Sequence, residues 1–324
     1  MKKFWGIFLF IFLMFNQASA VNMVNKENYL KYPISIVGLP DFPPFSQYVS
    51  DTDKNMQLYS AFYRPILDAM AKYGFKISPA EIERSEASDV KLLILKVSSG
   101  EAQIFIGAYA DTKMFSGLQM IYPASLSNPI HLITMPDTND KIKSYGDLKN
   151  LKGIVCKKEY FSDFVLRKFR DLNIDYVKTP YEAYEQIITG KADYMLGSLY
   201  YNRMVASSYG VEQYFSYSKN PVFKIPFFIA ISKMTPLFSE YMKVFNAEFS
   251  KPEFANAVKN EIIRIVEEEV EKNIGIVPPS FVHRSTPVAA EETNPDNSAS
   301  PTTKSHIVEQ EVREKNIEEV LDGI

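Results

Sequence analysis

Cysteine is almost absent from this chain. Cys156 is the only one in 324 residues, so no disulfide can form within it. Its setting in the apolar-to-basic run Ile154–Lys158 marks it as a buried structural thiol rather than a nucleophile. Histidine is nearly as scarce. His131, His283 and His306 are too scattered for a metal cluster, and no H-E-x-x-H or Cys-rich spacing occurs. His131 reads as structural. There is no G-x-S-x-G elbow, no P-loop and no Gly-rich dinucleotide turn. The chain is therefore expected to need no cofactor and no metal and to be no enzyme, while 39 acidic residues leave a carboxylate pair open. Positive charge is in deficit too. The formal net charge of −3 becomes −5 once Lys2 and Lys3 leave with a leader, which gives no electrostatic case for nucleic acid.

Long apolar runs are also missing. Phe4–Phe15 is shorter than the roughly 20 residues a spanning helix needs. With Lys2 and Lys3 before it and Ala18-Ser19-Ala20 after it, residues 1–20 read as a secretory signal peptide cleaved before Val21. The mature protein is expected to be exported to the periplasm and soluble. No cysteine follows the cleavage site, so no lipid anchor is expected.

What the chain does have is one stretch used twice. Residues 99–109 read SGEAQIFIGAY, and residues 189–200 read TGKADYMLGSLY. In each, a helix is expected to end on a Gly in the left-handed turn, at Gly100 and Gly190. A short apolar strand of a mostly parallel sheet follows. It stops at a second Gly, Gly107 or Gly197, where a backbone without Cβ admits a close approach. Ligands of open α/β sheets bind at the carboxyl ends of strands. Two such units predict two α/β lobes with a cleft between them.

Around this repeat, Ile34–Val37 reads as a strand running into the proline-fixed loop Gly38–Phe45. Leu58, Phe62, Ile66, Met70 and Tyr73 have near-helical spacing, ended by Gly74 and kinked or broken at Pro65. Ser88 is a candidate N-cap for a helix over residues 89–98, and Ala110–Ser125 reads as irregular. Strands are expected over 129–135, 154–156, 175–178 and 227–232, and helices over 162–172, 181–189, 200–208, 236–249 and 254–272. Residues 32–126 with 221–272 are expected to form lobe 1, and 127–220 lobe 2. Residues 285–324 are rich in Pro, Ser, Thr, Asn and Glu and read as a disordered tail, with a short charged helix over His306–Leu321.

The order strand, Pro-Pro-Phe loop, helix, SGEAQIFIGAYADTK, Tyr122-Pro123, SYGDLKNLKG and TGKADYMLGS resembles the periplasmic solute-binding proteins of the amino-acid ABC-transporter type, bacterial extracellular family 3. The likeness covers about residues 32–268. It implies a two-lobed fold with two crossing segments, a small-molecule ligand at the interface and an ABC permease as partner. The departures fall on the anchors for an α-amino acid. The family's carboxylate-gripping loop arginine falls at or near Met114, and Ala110–Ser125 holds no arginine. Lys113 could supply charge there, but not the bidentate fork. The aspartate that holds an α-ammonium falls at Gly197 or Ser198, and Asp193 matches an earlier, structural aspartate. The anion-binding Gly-Ser/Thr turn falls near Lys158-Glu159-Tyr160. The expected ligand is therefore not an ordinary α-amino acid.

Candidate ligand-binding residues are Phe42 and Phe45 on the proline loop, Tyr109 and Thr112 beyond the first repeat strand, and Tyr160, Ser198, Tyr200 and Arg203 in the second lobe. Each has a plain alternative: the aromatics as core, the polar groups as scaffold, Arg203 as a solvated surface residue. The function expected is an exported solute-binding protein for an ABC importer. A transport-independent sensor or accessory protein is the alternative, and a periplasmic lyase or dehydratase a third.

Overall fold

The computed structural model describes residues 32–50, 55–109, 113–139, 141–142, 144–159, 161 and 163–285. The expected signal peptide, the tail beyond Ser285, and the candidates Thr112 and Tyr160 lie outside the described residues.

The first half of the chain runs β1 (Ile34–Gly38), β2 (Gln47–Ser50), β3 (Asn55–Tyr59), α1 (Tyr63–Ala71), β4 (Ile77–Pro79), β5 (Ile82–Glu83), α2 (Val90–Ser99), β6 (Ile104–Ala108), β7 (Leu118–Met120) and the long β8 (Leu126–Thr134). It continues with α3 (Pro136–Asn139), β9 (Lys152–Cys156), α4 (Asp163–Lys168), β10 (Asn173–Val177), α5 (Pro180–Ile188), β11 (Tyr194–Ser198), α6 (Leu199–Ser208), β12 (Ser216–Tyr217) and β13 (Phe223–Ser232). Three helices close it: α7 (Phe238–Phe249), α8 (Pro252–Lys272) and α9 (Ser280–Ser285).

The sheet order β4-β1-β6-β13-β7 in one lobe recurs as β10-β9-β11-β8-β12 in the other. The first two pairings of each series are parallel and the last two antiparallel. Strands β8 and β13 are shared. Their first halves pair with each other, from Leu126 opposite Phe227 to Ile130 opposite Phe223. Their second halves complete one sheet each, β8 beside β11 and β13 beside β6. The two lobes are thus joined by a pair of crossing strands.

The repeat has a local cause. Gly100 and Gly190 take φ +88° and +69°, and their N–H groups donate to the carbonyls of Val97 and Ile187, each at 3.1 Å. Two residues on, the Ala102 and Ala192 N–H groups reach back six residues to Lys96 and Gln186, again at 3.1 Å. In the second copy Lys191 N–H also donates to Gln186 at 2.9 Å, the bond of a Schellman turn. The next side chain then clamps the first strand of its own lobe. Gln103 Oε1 accepts from Ser35 N–H and Asp193 Oδ2 from Lys152 N–H, both at 2.8 Å. The Gly-x-Ala-(Gln/Asp) spacing is a helix-to-strand hand-over, written the same way in both lobes.

Some local expectations change. Leu58 belongs to β3, in a hairpin paired with β2, and not to the helix that follows. Pro65 causes no kink, because it sits in the first turn of α1, where its missing N–H has no partner to lose. The cap of α2 is Asp89 rather than Ser88; its carboxylate accepts from Lys91 N–H at 2.8 Å and Leu92 N–H at 3.3 Å. Ala110–Ser125 contributes β7, which pairs with β13.

A third link accompanies the crossing strands. Helix α8 packs on α1 of the first lobe and on α6 of the second. Beyond it, Asn273 Nδ2 donates to Ser207 Oγ at 3.2 Å, and α9 lies on α5. There Phe281 is buried edge-on to Tyr181, ring centroids 5.3 Å apart.

Gly107 lies at φ +96°, and a Cβ there would stand 2.8 Å from Phe227 Cζ. Gly190 also has positive φ, with nothing within 4 Å of a Cβ. Gly107→Ala is expected to lose about 2–4 kcal/mol, from strain plus overpacking, and Gly190→Ala about 1 kcal/mol from strain alone. Urea midpoints at unchanged slope measure both. Equal losses would show that Phe227 yields without resistance.

Candidate functional site

The loop after β1 folds back on itself, with Phe42 and Ser46 exchanging backbone hydrogen bonds of 2.9 and 3.0 Å. This turns the rings of Phe42 and Phe45 inward, fully buried and stacked at 5.1 Å. They meet the second lobe at the start of α6: Phe42 lies 5.1 Å from Tyr201 and Phe45 6.2 Å from Tyr200. Phe227, on a crossing strand, sits at the centre, 5.0 Å from Phe45, 5.3 Å from Tyr109 and 5.7 Å from Phe62. At the rim, Lys158 Nζ pairs with Asp41 Oδ2 at 2.9 Å, joining the turn after β9 to the loop after β1. Both partners are substantially exposed, so the pair contributes only about 0–1 kcal/mol.

Behind the rings runs a buried polar chain. Glu159 ends the 3-10 turn Lys157–Glu159 and is fully buried. Its Oε2 accepts from Ser198 N–H at 2.5 Å and its Oε1 from Asn202 Nδ2 at 2.9 Å. Asn202 Nδ2 donates also to the Ser198 carbonyl at 2.9 Å, and Tyr184 OH donates to Asn202 Oδ1 at 2.9 Å. On the other side Ser198 Oγ donates to Asn128 Oδ1 at 2.7 Å, carrying the chain to crossing strand β8. Asn128 Nδ2 has no hydrogen-bond partner among the described residues. Burial pushes the Glu159 carboxyl up to about 8, and the two donors pull only partly against it.

The strand-end glycines admit the protein's own side chains and not a ligand. A Cβ on Gly197 would stand 2.6 Å from Glu159 Oε1, and one on Gly107 would meet Phe227 and Leu39. The close approach expected at both glycines is thus made by the protein's own side chains.

Phe42, Phe45, Tyr109, Ser198 and Tyr200 are thus brought together from both lobes and the crossing region. Arg203 stands apart, its Nε 3.3 Å from Glu212 Oε1 in a pair that is largely buried. Met114 is 42% exposed. Cys156 is buried, and burial followed by the charge of Glu159 pushes its thiol up to about 12, consistent with a structural role. His131 is buried with Nδ1 2.7 Å from the Ser218 carbonyl; desolvation lowers its pKa and favours the neutral ring. Sequence reasoning missed Glu159, Asn202, Asn128, Tyr201 and Phe227 as members of this cluster. The signal available for Glu159 was its place in the turn that differs from the family.

Glu159 binds its proton more tightly when folded than unfolded, where an ordinary carboxyl lies near 4.5. Its contribution to stability is fully present below pH 4.5 and is lost as pH rises toward 8, by at most about 1.4 kcal/mol per pH unit. Glu159→Gln is therefore expected to gain stability relative to wild type between pH 5 and 8. Parallel unfolding curves across that range would mean that Glu159 ionises as an ordinary carboxyl.

No protein-family model matches the chain, and no curated protein matches it. Solved structures do. An amino acid ABC transporter substrate-binding protein, AbpA of Streptococcus pneumoniae, bound to L-arginine, is 12% identical over 75% of this chain and 99% of its own, TM-score 0.52. A structure from Wolinella succinogenes, solved as a complex with lysine, is 14% identical over 72% and 95%, TM-score 0.53. The periplasmic VFT2 domain of Bordetella pertussis BvgS is 16% identical over 74% and 96%, TM-score 0.52. At these identities the likeness is one of fold. The chain has the two-lobed α/β fold of the substrate-binding proteins of amino acid ABC transporters.

Proposed function

We propose that this is an exported solute-binding protein whose lobes close on a small polar ligand, for uptake through an ABC permease of the inner membrane. The observation that carries the reading is the cluster at the strand ends. Both lobes and a crossing strand contribute to it, and it holds a buried donor, Asn128 Nδ2, that no described residue satisfies. Buried polar groups are nearly always paired, so an unpaired one between lobes supports a ligand-facing surface. Phe42, Phe45, Tyr109, Ser198 and Tyr200 form this surface, with Thr112 and Tyr160 assigned to it from their sequence positions. Arg203, committed to Glu212, would join only if that pair opened.

The ligand is not an ordinary α-amino acid. Met114 stands where a carboxylate-binding arginine would be needed, and Ser198 where an ammonium-binding aspartate would. Glu159 replaces part of an anion-binding turn with a carboxylate. No catalytic step is assigned to these residues.

One observation favours the accessory reading: Phe42 and Phe45 already pack on Tyr201 and Tyr200 across the lobes. A protein closed by its own aromatics suits a sensor or scaffold, and the BvgS domain shows that the fold also occurs in a periplasmic domain of that protein. Thermal shift of the purified chain against amino acids, opines, polyamines, dicarboxylates and short peptides separates the two. At about 100 times Kd, binding to the native state adds roughly 2.7 kcal/mol. We expect a shift with a ligand that is no common amino acid, and a loss of at least tenfold in affinity on Phe45→Ala. No shift across the panel favours the accessory role.

A further inference from the structure

One buried carboxyl near the lobe interface, that of Glu159, has no cation paired with it among the described residues. Of the cations near the strand ends, Lys158 is paired with Asp41 at 2.9 Å and Arg203 with Glu212 at 3.3 Å. Glu159 is not matched in this way. Among the described residues its buried carboxylate receives only the Ser198 backbone N–H and the Asn202 amide, both neutral donors. An ionised carboxylate has about four acceptor sites, so roughly half are unused. Leaving it charged without a counter-ion is costly. The lobe contact that follows Ser198 in the chain is buried and aromatic. Tyr200 and Tyr201 leave the chain two and three residues beyond Ser198 and meet Phe45 and Phe42 of the other lobe. Ring faces and a carboxylate attract the same kind of group, a cation, and neither holds an anion.

We propose that the ligand of this site is an organic amine that lacks an α-carboxylate and carries a neutral oxygen acceptor for Asn128 Nδ2, its ammonium paired with Glu159 and flanked by the rings of Tyr200, Tyr201, Phe42 and Phe45. The proposal rests on the solute-binding reading and names its ligand class. The carboxylate accepts from Ser198 N–H, two residues before Tyr200, and the proposal requires the lobes to part at the Phe42–Tyr201 and Phe45–Tyr200 contacts. Among the described residues, Cys156 from β9 and Tyr184 from α5 interact with Glu159, with Lys158 adjacent in the chain and tied to Asp41. Burial raises the first two far above neutral pH. Of Cys156, Tyr184 and Glu159, Glu159 is the one that burial moves toward neutrality, which favours its protonated form at pH 7. Amine binding would release that proton to the buffer as the carboxylate–ammonium pair forms.

Isothermal titration of the full chain tests this with putrescine and choline, the second of which carries such an oxygen, and with succinate and L-alanine as anionic and zwitterionic comparisons. Each titration is run at pH 6, 7 and 8, in two buffers of different ionisation enthalpy. An amine is expected to bind with release of close to one proton at pH 7, and its affinity to rise toward tenfold per pH unit over this range. Glu159→Gln should weaken it at least tenfold and flatten the pH dependence, and Tyr201→Ala should weaken choline while leaving proton release unchanged. If Glu159→Gln does not fold, proton release by the wild type decides. Succinate or alanine binding without amine binding would overturn the amine assignment and leave the solute-binding reading intact. Amine binding without proton release, or no binding by either amine, would overturn it as well; the wider ligand panel then judges the solute-binding reading separately.

Discussion

The ring of Phe227 is the contact on which the arrangement of the lobes depends. It stands opposite Leu126 on the crossing strands. One residue further, β13 leaves β8 and takes up β6. Full burial of such a ring is worth about 1.5–3 kcal/mol, and each well-placed aromatic neighbour about 0.5–1.5 kcal/mol more. Phe42, Phe45, Phe62 and Tyr109 all lie around it. Gly107 supplies the space by having no Cβ, at a φ that other residues adopt only under strain. The crossing point, the loop after β1 and the end of β6 therefore share one packing problem.

The same region places a carboxylate where it is poorly solvated. Glu159 accepts at the N-terminal end of α6, where backbone N–H groups and the helix dipole favour negative charge. That compensation is partial, because burial outweighs it. Gly197 is the residue that permits the approach, and Asn202 and Tyr184 hold the geometry from behind. A stiff, buried polar chain from Tyr184 to Asn128 thus ties the second lobe to a crossing strand.

Much of the scaffold was readable because its signals are local. Gly100 and Gly190, followed by Ala and then Gln103 or Asp193, encode a turn that needs those residues at those offsets. Two matching turns imply two matching sheets. The helix spacing through Leu58 misled, since residues four apart can span the end of a strand and the start of a helix alike. Glu159 was not readable as buried: Lys157-Lys158-Glu159 looks like a charged, solvated turn, and only tertiary packing turns its last member inward. Arg203 was ambiguous for the same reason. Its partner Glu212 lies nine residues on, beyond the helix, where no helical spacing rule reaches it.

The C-terminal segment changes how such a molecule can move. Two crossing strands alone form a hinge whose axis runs close to both. Helix α8, some 30 Å long at 1.5 Å per residue, touches both lobes and also crossing strand β8. Beyond it the chain turns at Asn273–Gly275, where Gly275 takes φ +88°, before Phe281 and Val282 enter the second lobe's core. The segment from α8 to α9 is a third connection between the lobes, so rotation at the strands would have to be matched by pivoting at that elbow or by release of α9. A joint outside the cleft would thereby limit how far the lobes can travel.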